Sequence, residues 1–221
     1  MYSFDKFLKK LQEDTPKFNI KYKNESKFMK FLGALLFFNK GFMTKYVTTI
    51  GSTVYYPDKL FIEKEKVAIE ILAHEFVHTK DSNKSFLFSP LYLFPQILAP
   101  FMLFFMFASI WLGLGLFALF ILPLPAPFRM HYEVRGYTMS LFMINKFLVD
   151  QNKDQEERRK VLYDIAGNIN KNFTSFAYYL MWPFGVTKKL KQNIDKIVSN
   201  KILEEGQNYK LAEAAFNHCK E

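Results

Sequence analysis

Residues 62–80 read IEKEKVAIEILAHEFVHTK, a stretch that sets the fold because it combines helical apolar spacing with an H-E-x-x-H motif. His74 and His78 are four residues apart, which places both imidazoles on one face of a helix, one turn from each other. Two imidazoles so placed can bind one zinc ion. Four apolar side chains are expected to pack this helix into the core: Val67, Ile71, Phe76 and Val77.

Glu75 lies beside the two histidines and is predicted to be the catalytic general base. A zinc ion lowers the pKa of a zinc-bound water towards about 7, and Glu75 can then accept its proton as the water attacks a carbonyl carbon. The motif therefore predicts one zinc ion per chain and a metalloprotease, a hydrolase of peptide bonds in protein or peptide substrates.

A catalytic zinc ion keeps three protein ligands and one open position, so a third ligand must come from elsewhere in the chain. We expect Glu133, at the start of a predicted helix over residues 131–148, with His131 as the rival ligand. Gly136, about one turn later on nearly the same face, would let the two helices approach closely. The alternative for Glu133 is a solvated carboxylate that the helix dipole favours in a first turn.

Other polar residues near the motif have two interpretations each. Tyr137, four residues after Glu133, is expected to donate a hydrogen bond to the developing oxyanion, or else to pack against core or lipid. Asp81 is predicted either to orient a ligand imidazole or to belong to a polar helix exit. Glu70 and His218 are interpreted as surface residues.

Residues 86–127 contain no charged side chain. A membrane-crossing helix takes about 20 apolar residues, so we expect a helical hairpin that crosses or dips into a membrane; a buried helical hairpin is the alternative. Lys80 and Lys84 precede this stretch, and Arg129 and Arg135 follow it. Positive charge at both ends predicts that the active site and both termini are cytoplasmic, with membrane lipid as a partner.

The rest of the chain completes an α+β, mostly helical fold of one domain, residues 1–221, with a zincin-like metallopeptidase architecture. β-Branched and aromatic residues over 46–57, split by Gly51, predict a hairpin and a small antiparallel sheet. In zinc proteases an edge strand beside the metal helix binds substrate as an added strand; support of the fold is the alternative role. Residues 150–221 are predicted to form a helical C-terminal part.

The formal net charge is +9, and Cys219 is the single cysteine. One cysteine excludes an internal disulfide and a cysteine-rich zinc site. The basic residues lie on both sides of the apolar stretch rather than in one cluster, which favours attraction to anionic lipid over a nucleic-acid partner. The N-terminus lacks the continuous apolar stretch of a secretory signal peptide.

With these motifs the sequence resembles the membrane-embedded gluzincin peptidases of the HtpX and CAAX-prenyl-protease type. Those have H-E-x-x-H on a helix, a pair of membrane helices next, and a glutamate ligand on a later helix. The resemblance covers about residues 46–148, and it departs from the family where Gly-Tyr at 136–137 replaces the usual Ala-Asp. It implies three zinc ligands and one catalytic base: His74, His78, Glu133 and Glu75.

Two other functions stay open from the sequence. One is a membrane-interaction protein whose H-E-x-x-H is structural or vestigial. The other is a soluble, basic, SprT-like protease that acts on nucleic-acid-bound proteins.

Overall fold

The computed structural model describes residues 2–37, 39–122, 124–175, 181–182 and 184–220. Within these residues the chain is mostly helical and has one small sheet, so the prediction of a mostly helical α+β fold is confirmed. The described α-helices are α1 (Phe4–Asp14), α2 (Lys27–Leu35), α3 (Glu65–Lys84), α4 (Phe88–Tyr92), α5 (Ala99–Met102), α6 (Ile110–Ile121), α7 (Pro127–Asp150), α8 (Gln155–Thr174), α9 (Val186–Val198) and α10 (Gln207–His218). Short 3-10 helices cover Leu60–Glu63, Gln96–Leu98, Leu103–Phe107 and Lys201–Glu204.

The sheet has three strands, β1 (Asn19–Tyr22), β2 (Thr48–Ile50) and β3 (Thr53–Tyr56), in the order β1-β3-β2. β2 and β3 form the expected antiparallel hairpin, which turns at Gly51 with a φ of 58°. Glycine suits this turn because it adopts positive φ without a steric penalty. β1 pairs with β3 in parallel, so the sheet is mixed rather than antiparallel, and β2 is an edge strand.

The core is built around α3 and α7, which pack against each other along their lengths. α3 buries a stripe of small and large apolar side chains, among them Ile69, Leu72 and Phe76, because its residues at helical spacing share one face. The Phe76 ring meets Phe18 edge-on with 5.3 Å between ring centroids. The expected core position of Val67 is wrong: it is 45% exposed, since it lies in the first turn of α3 on the solvent side.

A buried ammonium group holds the chain that leads into β2. Lys23 follows β1, is fully buried, and donates from Nζ to the carbonyl oxygens of Phe42 at 2.6 Å and Tyr46 at 2.8 Å. Its third hydrogen bond goes to Thr48 Oγ1 at 2.7 Å. Burial lowers the pKa of Lys23 to about 8. These three acceptors satisfy all three donors of the ammonium group, which is what a buried lysine requires.

The apolar segment, residues 86–122, does not form the predicted transmembrane hairpin. Prolines at five-residue spacing (Pro90, Pro95, Pro100) each remove a backbone donor and divide the segment into short helices. Its longest helix, α6, has 12 residues, whereas a crossing takes about 20. Among the described residues, no helix combines the length and the apolar character needed to cross a membrane. The predicted membrane location, and the cytoplasmic placement that followed from it, are therefore wrong.

Candidate metal centre

His74, His78 and Glu133 come together between α3 and α7. Their relative exposures are 9%, 5% and 5%, so the cluster is buried. The two Nε2 atoms are 3.1 Å apart; Glu133 Oε2 lies 3.5 Å from Nε2 of His74, and Oε1 lies 3.6 Å from Nε2 of His78. Each side chain thus offers one ligand atom to a common point, with these atoms all within 4.8 Å of one another.

These separations fit a zinc site. Zinc–nitrogen and zinc–oxygen bonds are about 2.0–2.2 Å long, so two ligands at tetrahedral positions are about 3.3–3.5 Å apart. The observed separations are 3.1 Å between the two Nε2 atoms and 3.5 and 3.6 Å from these atoms to the two different oxygens of Glu133, values close to this range. Two imidazoles and one carboxylate are also a donor set that zinc accepts in catalytic sites. The geometry and the chemistry of the three side chains therefore both suit this ion.

The electrostatics of the cluster favour an ionised carboxylate beside the imidazoles. Burial raises the pKa of Glu133, but the hydrogen bond with His74 and the charge of His78 outweigh it and lower the pKa to about 2. Burial lowers the pKa of His74, yet the surrounding carboxylates, led by Glu133, leave it raised. For His78 burial prevails and its pKa is lowered. Glu133 is thus anionic at neutral pH, which is the form that binds a metal.

Gly136 allows α7 to approach the metal helix. A Cβ atom at position 136 would lie 2.5 Å from Nε2 and 2.7 Å from Cε1 of His74. Contacts that short do not occur between real side chains, so only glycine fits against this imidazole. Glu133 lies one turn before Gly136 on α7, and the close approach brings its carboxylate to the two histidines. The expected role of Gly136 in the helix contact agrees with this geometry.

Tyr92, at the end of α4 in the apolar segment, reaches the cluster from the other side. Its hydroxyl donates a hydrogen bond to Glu133 Oε1, and its ring meets His78 edge-on with 5.9 Å between centroids. Phe88, one turn earlier, also lies against His78, at 6.1 Å. Burial and the charge of Glu133 raise the pKa of Tyr92 well above its ordinary value, so the hydroxyl keeps its proton and remains a donor.

Glu75 lies on α3 next to the cluster and faces the edge strand β2. Thr49 Oγ1, in the middle of β2, donates to Glu75 Oε2 at 2.7 Å. Farther along the same helix, Ser52 Oγ is 3.3 Å from Asn83 Oδ1. The hairpin therefore runs beside α3, with its edge strand next to the expected catalytic base. Glu75 is only partly buried, unlike the three clustered side chains.

A second set of polar groups supports the imidazole of His74. Ser140 Oγ, on α7, is 3.4 Å from His74 Nδ1. Glu70, one turn before His74, is partly buried rather than at the surface as expected. Burial raises the pKa of Glu70 against the opposing effect of its hydrogen bond with Ser140. The Ser140 hydroxyl thus lies beside the imidazole of His74, and outer polar groups of this kind orient histidine ligands in metal sites.

Tyr137 lies against the cluster, whereas Asp81 forms an ion pair with α7. The Tyr137 ring packs edge-on against His74 at 4.9 Å, and its hydroxyl accepts from Asn172 Nδ2 at 3.2 Å. Its donation to an oxyanion stays a prediction. Asp81 is buried and pairs with Arg135 NH1 at 2.8 Å; within the described residues it makes no hydrogen bond to His78, whose Nδ1 has no partner there.

The remaining histidines lie outside the cluster. His131 is exposed, and its ring meets that of Tyr132 edge-on. It lies two residues before Glu133 on α7, and this spacing turns its side chain away from the face that carries Glu133. His218, at the end of α10, is exposed as expected.

Sequence reasoning missed Thr49, Tyr92 and Ser140. Tyr92 lies in a stretch that was interpreted only by its hydropathy, although it is the single tyrosine among residues 86–127. Ser140 lies seven residues, or two helical turns, after Glu133. This spacing places both side chains on one face of the helix, so Ser140 could have been predicted to lie near the site. Thr49 had no local signal, since its contact with Glu75 depends on how the hairpin packs on α3.

Comparison with known proteins adds no relative. No family model, curated protein or solved structure matches this chain. The resemblance to gluzincin peptidases stays a prediction from the sequence motifs.

Proposed function

We propose that this chain is a zinc-dependent endopeptidase with a zincin-like catalytic centre. One observation carries the proposal: two imidazoles and a carboxylate lie at separations suited to zinc, beside a second carboxylate, Glu75, that is not part of the cluster. His74, His78 and Glu133 would hold the ion. When bound there, zinc polarises the substrate carbonyl and makes a water molecule more acidic.

The residues of the chain supply the remaining steps. Glu75 accepts the proton of the attacking water and returns it to the leaving amine, as a general base and then a general acid. Thr49 holds the Glu75 carboxylate by its 2.7 Å hydrogen bond. The edge strand β2 takes an extended peptide as an added strand, which aligns the scissile bond along α3. These roles require a protein or peptide substrate with an unfolded stretch.

The burial of the cluster favours a second candidate, a metal centre that only stabilises the fold. The three side chains are at most 9% exposed, and Phe88 and Tyr92 lie over His78. A structural zinc site is closed, whereas a catalytic one keeps a position for water or substrate. The two candidates differ in Glu75, which has a function only in an enzyme.

The test combines metal analysis with cleavage of a fluorescently labelled unfolded protein. We expect one zinc per chain in the wild type and in Glu75→Gln, with cleavage by Glu75→Gln lower by about 100-fold or more. Glu63→Gln, an exposed carboxylate just before α3, is the matched control and should cleave normally. His78→Ala should lose the zinc. A wild type without stoichiometric zinc contradicts both candidates; bound zinc with no cleavage supports the structural one.

A further inference from the structure

Tyr92 is the point at which the apolar segment reaches the metal centre. α4 packs against both α3 and α7, so its two aromatic side chains cover the cluster. The Tyr92 hydroxyl bonds to Oε1 of Glu133, and the Tyr92 and Phe88 rings lie against His78. α4, in a segment whose large apolar side chains are mostly exposed, is therefore in direct contact with two of the three expected ligands.

A polar clamp fixes Tyr92 in this place. Arg129, on α7, donates from Nε to the carbonyl oxygen of Tyr92 at 3.0 Å and from NH2 to Oε1 of Gln96 at 3.3 Å. Its guanidinium also lies 5.4 Å from the centroid of the Tyr92 ring. Gln96 in turn donates to the carbonyl oxygen of Leu124, beyond the far end of the segment, at 3.4 Å. A continuous set of contacts thus joins the end of the segment to Glu133.

The hydrogen bond from Tyr92 leaves Glu133 free to bind a metal. An ionised carboxylate has two oxygens and about four acceptor positions, and Tyr92 uses one position on Oε1. The remaining positions face the two imidazoles. A carboxylate without such a partner rotates about its last side-chain bond, whereas a hydrogen-bonded one keeps its orientation, which is why outer partners strengthen metal binding.

We propose that the apolar segment regulates metal occupancy of this centre through Tyr92, which holds the Glu133 carboxylate towards His74 and His78. This inference rests on the proposed metal centre. When the segment lies as described, the three ligand atoms are preorganised; when it moves away, Tyr92 leaves Glu133 and the site binds metal more weakly. Because coupling is reciprocal, bound metal must hold α4 in place by the same factor.

The first test is the zinc affinity of Tyr92→Phe, measured by competition with a chromogenic chelator. Phenylalanine keeps the ring contacts and removes only the hydroxyl, so the fold should be retained. We expect zinc to bind about 10- to 100-fold more weakly. Tyr132→Phe is the matched control, because Tyr132 packs on the same Phe88 ring at 4.7 Å but makes no hydrogen bond to the described residues. It should bind zinc like the wild type.

The second test asks whether the segment acts through that hydroxyl. Arg129→Met removes the clamp, and we expect about 2- to 30-fold weaker zinc binding. In the Tyr92→Phe background the same substitution should have little further effect. Hydrogen exchange of the α4 amides should slow on adding zinc to the wild type and respond less in Tyr92→Phe.

The outcomes separate the inference from the proposed function. A wild type that binds no zinc overturns both. A wild type that binds one zinc, with Tyr92→Phe binding it equally well, overturns only the role of Tyr92. An Arg129→Met effect that persists undiminished in the Tyr92→Phe background overturns the route through Tyr92.

Discussion

The α3–α7 pair and the apolar segment place their side chains in opposite ways. α3 and α7 bury two histidines and a glutamate between them. The apolar segment, which has no charge, leaves Phe107 92% and Trp111 80% exposed. Composition alone would put the apolar segment inside and the ionisable cluster at the surface.

The difference shows that burial depends on a complementary partner as well as on hydropathy. α3 and α7 have 20 and 24 residues, which gives each a long face to pack against the other. Apart from α6, the helices of the apolar segment have five residues or fewer, so each offers a neighbour only a short face. Polar groups become buried where rigid helices hold them against their own partners, here imidazole against carboxylate.

The strongest test of this contrast removes the same side chain in each region. Phe76→Ala should destabilise the protein by about 3–5 kcal/mol, since Phe76 is fully buried and the substitution leaves a cavity. Phe107→Ala should change stability by about 0.5 kcal/mol or less, because its ring is exposed. Chemical denaturation of both variants measures the difference; equal losses would show that the apolar segment is packed in solution.

Two helical glycines give a second, smaller contrast. Gly136→Ala forces a Cβ against the His74 ring, and we expect a loss of about 1–3 kcal/mol together with loss of zinc binding. Gly115→Ala, in α6, meets nothing within 4 Å and should stabilise the protein by about 0.4–1 kcal/mol. Thermal unfolding and zinc titration check both. A Gly136→Ala variant that binds zinc normally would contradict the close approach of α7 to His74.

The hydroxyl of Thr49, beside the cluster, should affect peptide cleavage, whereas the hydroxyl of Thr53, on the neighbouring strand, should not. Thr49→Val removes the hydrogen bond to Glu75 and should lower peptide cleavage by about 10- to 100-fold, the range for a bond to a charged group. Zinc content should stay at one per chain. The Thr49→Ser variant keeps the hydroxyl and should retain most of the wild-type activity. Thr53→Val in β3 is the control, and a comparable loss there would assign the effect to the sheet.

The smallest expected effect is on amide hydrogen exchange, which zinc binding should slow to different extents in different helices. Amide exchange should slow most in α3 and α7, less in α4, and not measurably in α6, because the contacts with the cluster diminish in that order. Mass spectrometry with and without zinc measures it. Uniform slowing that includes α6 would mean that the two regions respond as one unit.

Local spacing predicted the part of the centre that lies on one helix. His74 and His78 share a face because four residues make one turn, and Glu133 with Gly136 follows from the same periodicity on α7. β1 was missed because Asn19–Tyr22 is four residues long and pairs with a strand more than 30 residues later. The contact of Thr49 with Glu75 depends on packing between elements, which no local pattern encodes.

The apolar segment was predicted wrongly for a different reason. The charge-free stretch of 42 residues, 86–127, which includes this segment, was compared with the length of two membrane helices. Helix length depends on uninterrupted backbone hydrogen bonding, and the recurring prolines prevent it. Within the apolar segment, the helices that precede α6 have five residues or fewer.

The three hydrogen bonds of Lys23 would affect the binding of a peptide to the edge strand β2. They fasten the connection between β1 and β2, residues 23–47, to the sheet one position before Thr49, so β2 would already be extended before a peptide binds. If a strand becomes ordered only when a peptide binds, the entropy lost in ordering it weakens the binding. A strand that is already ordered does not have this cost. The buried ammonium group of Lys23 thus keeps the edge strand β2 in the extended conformation that an added peptide strand would require.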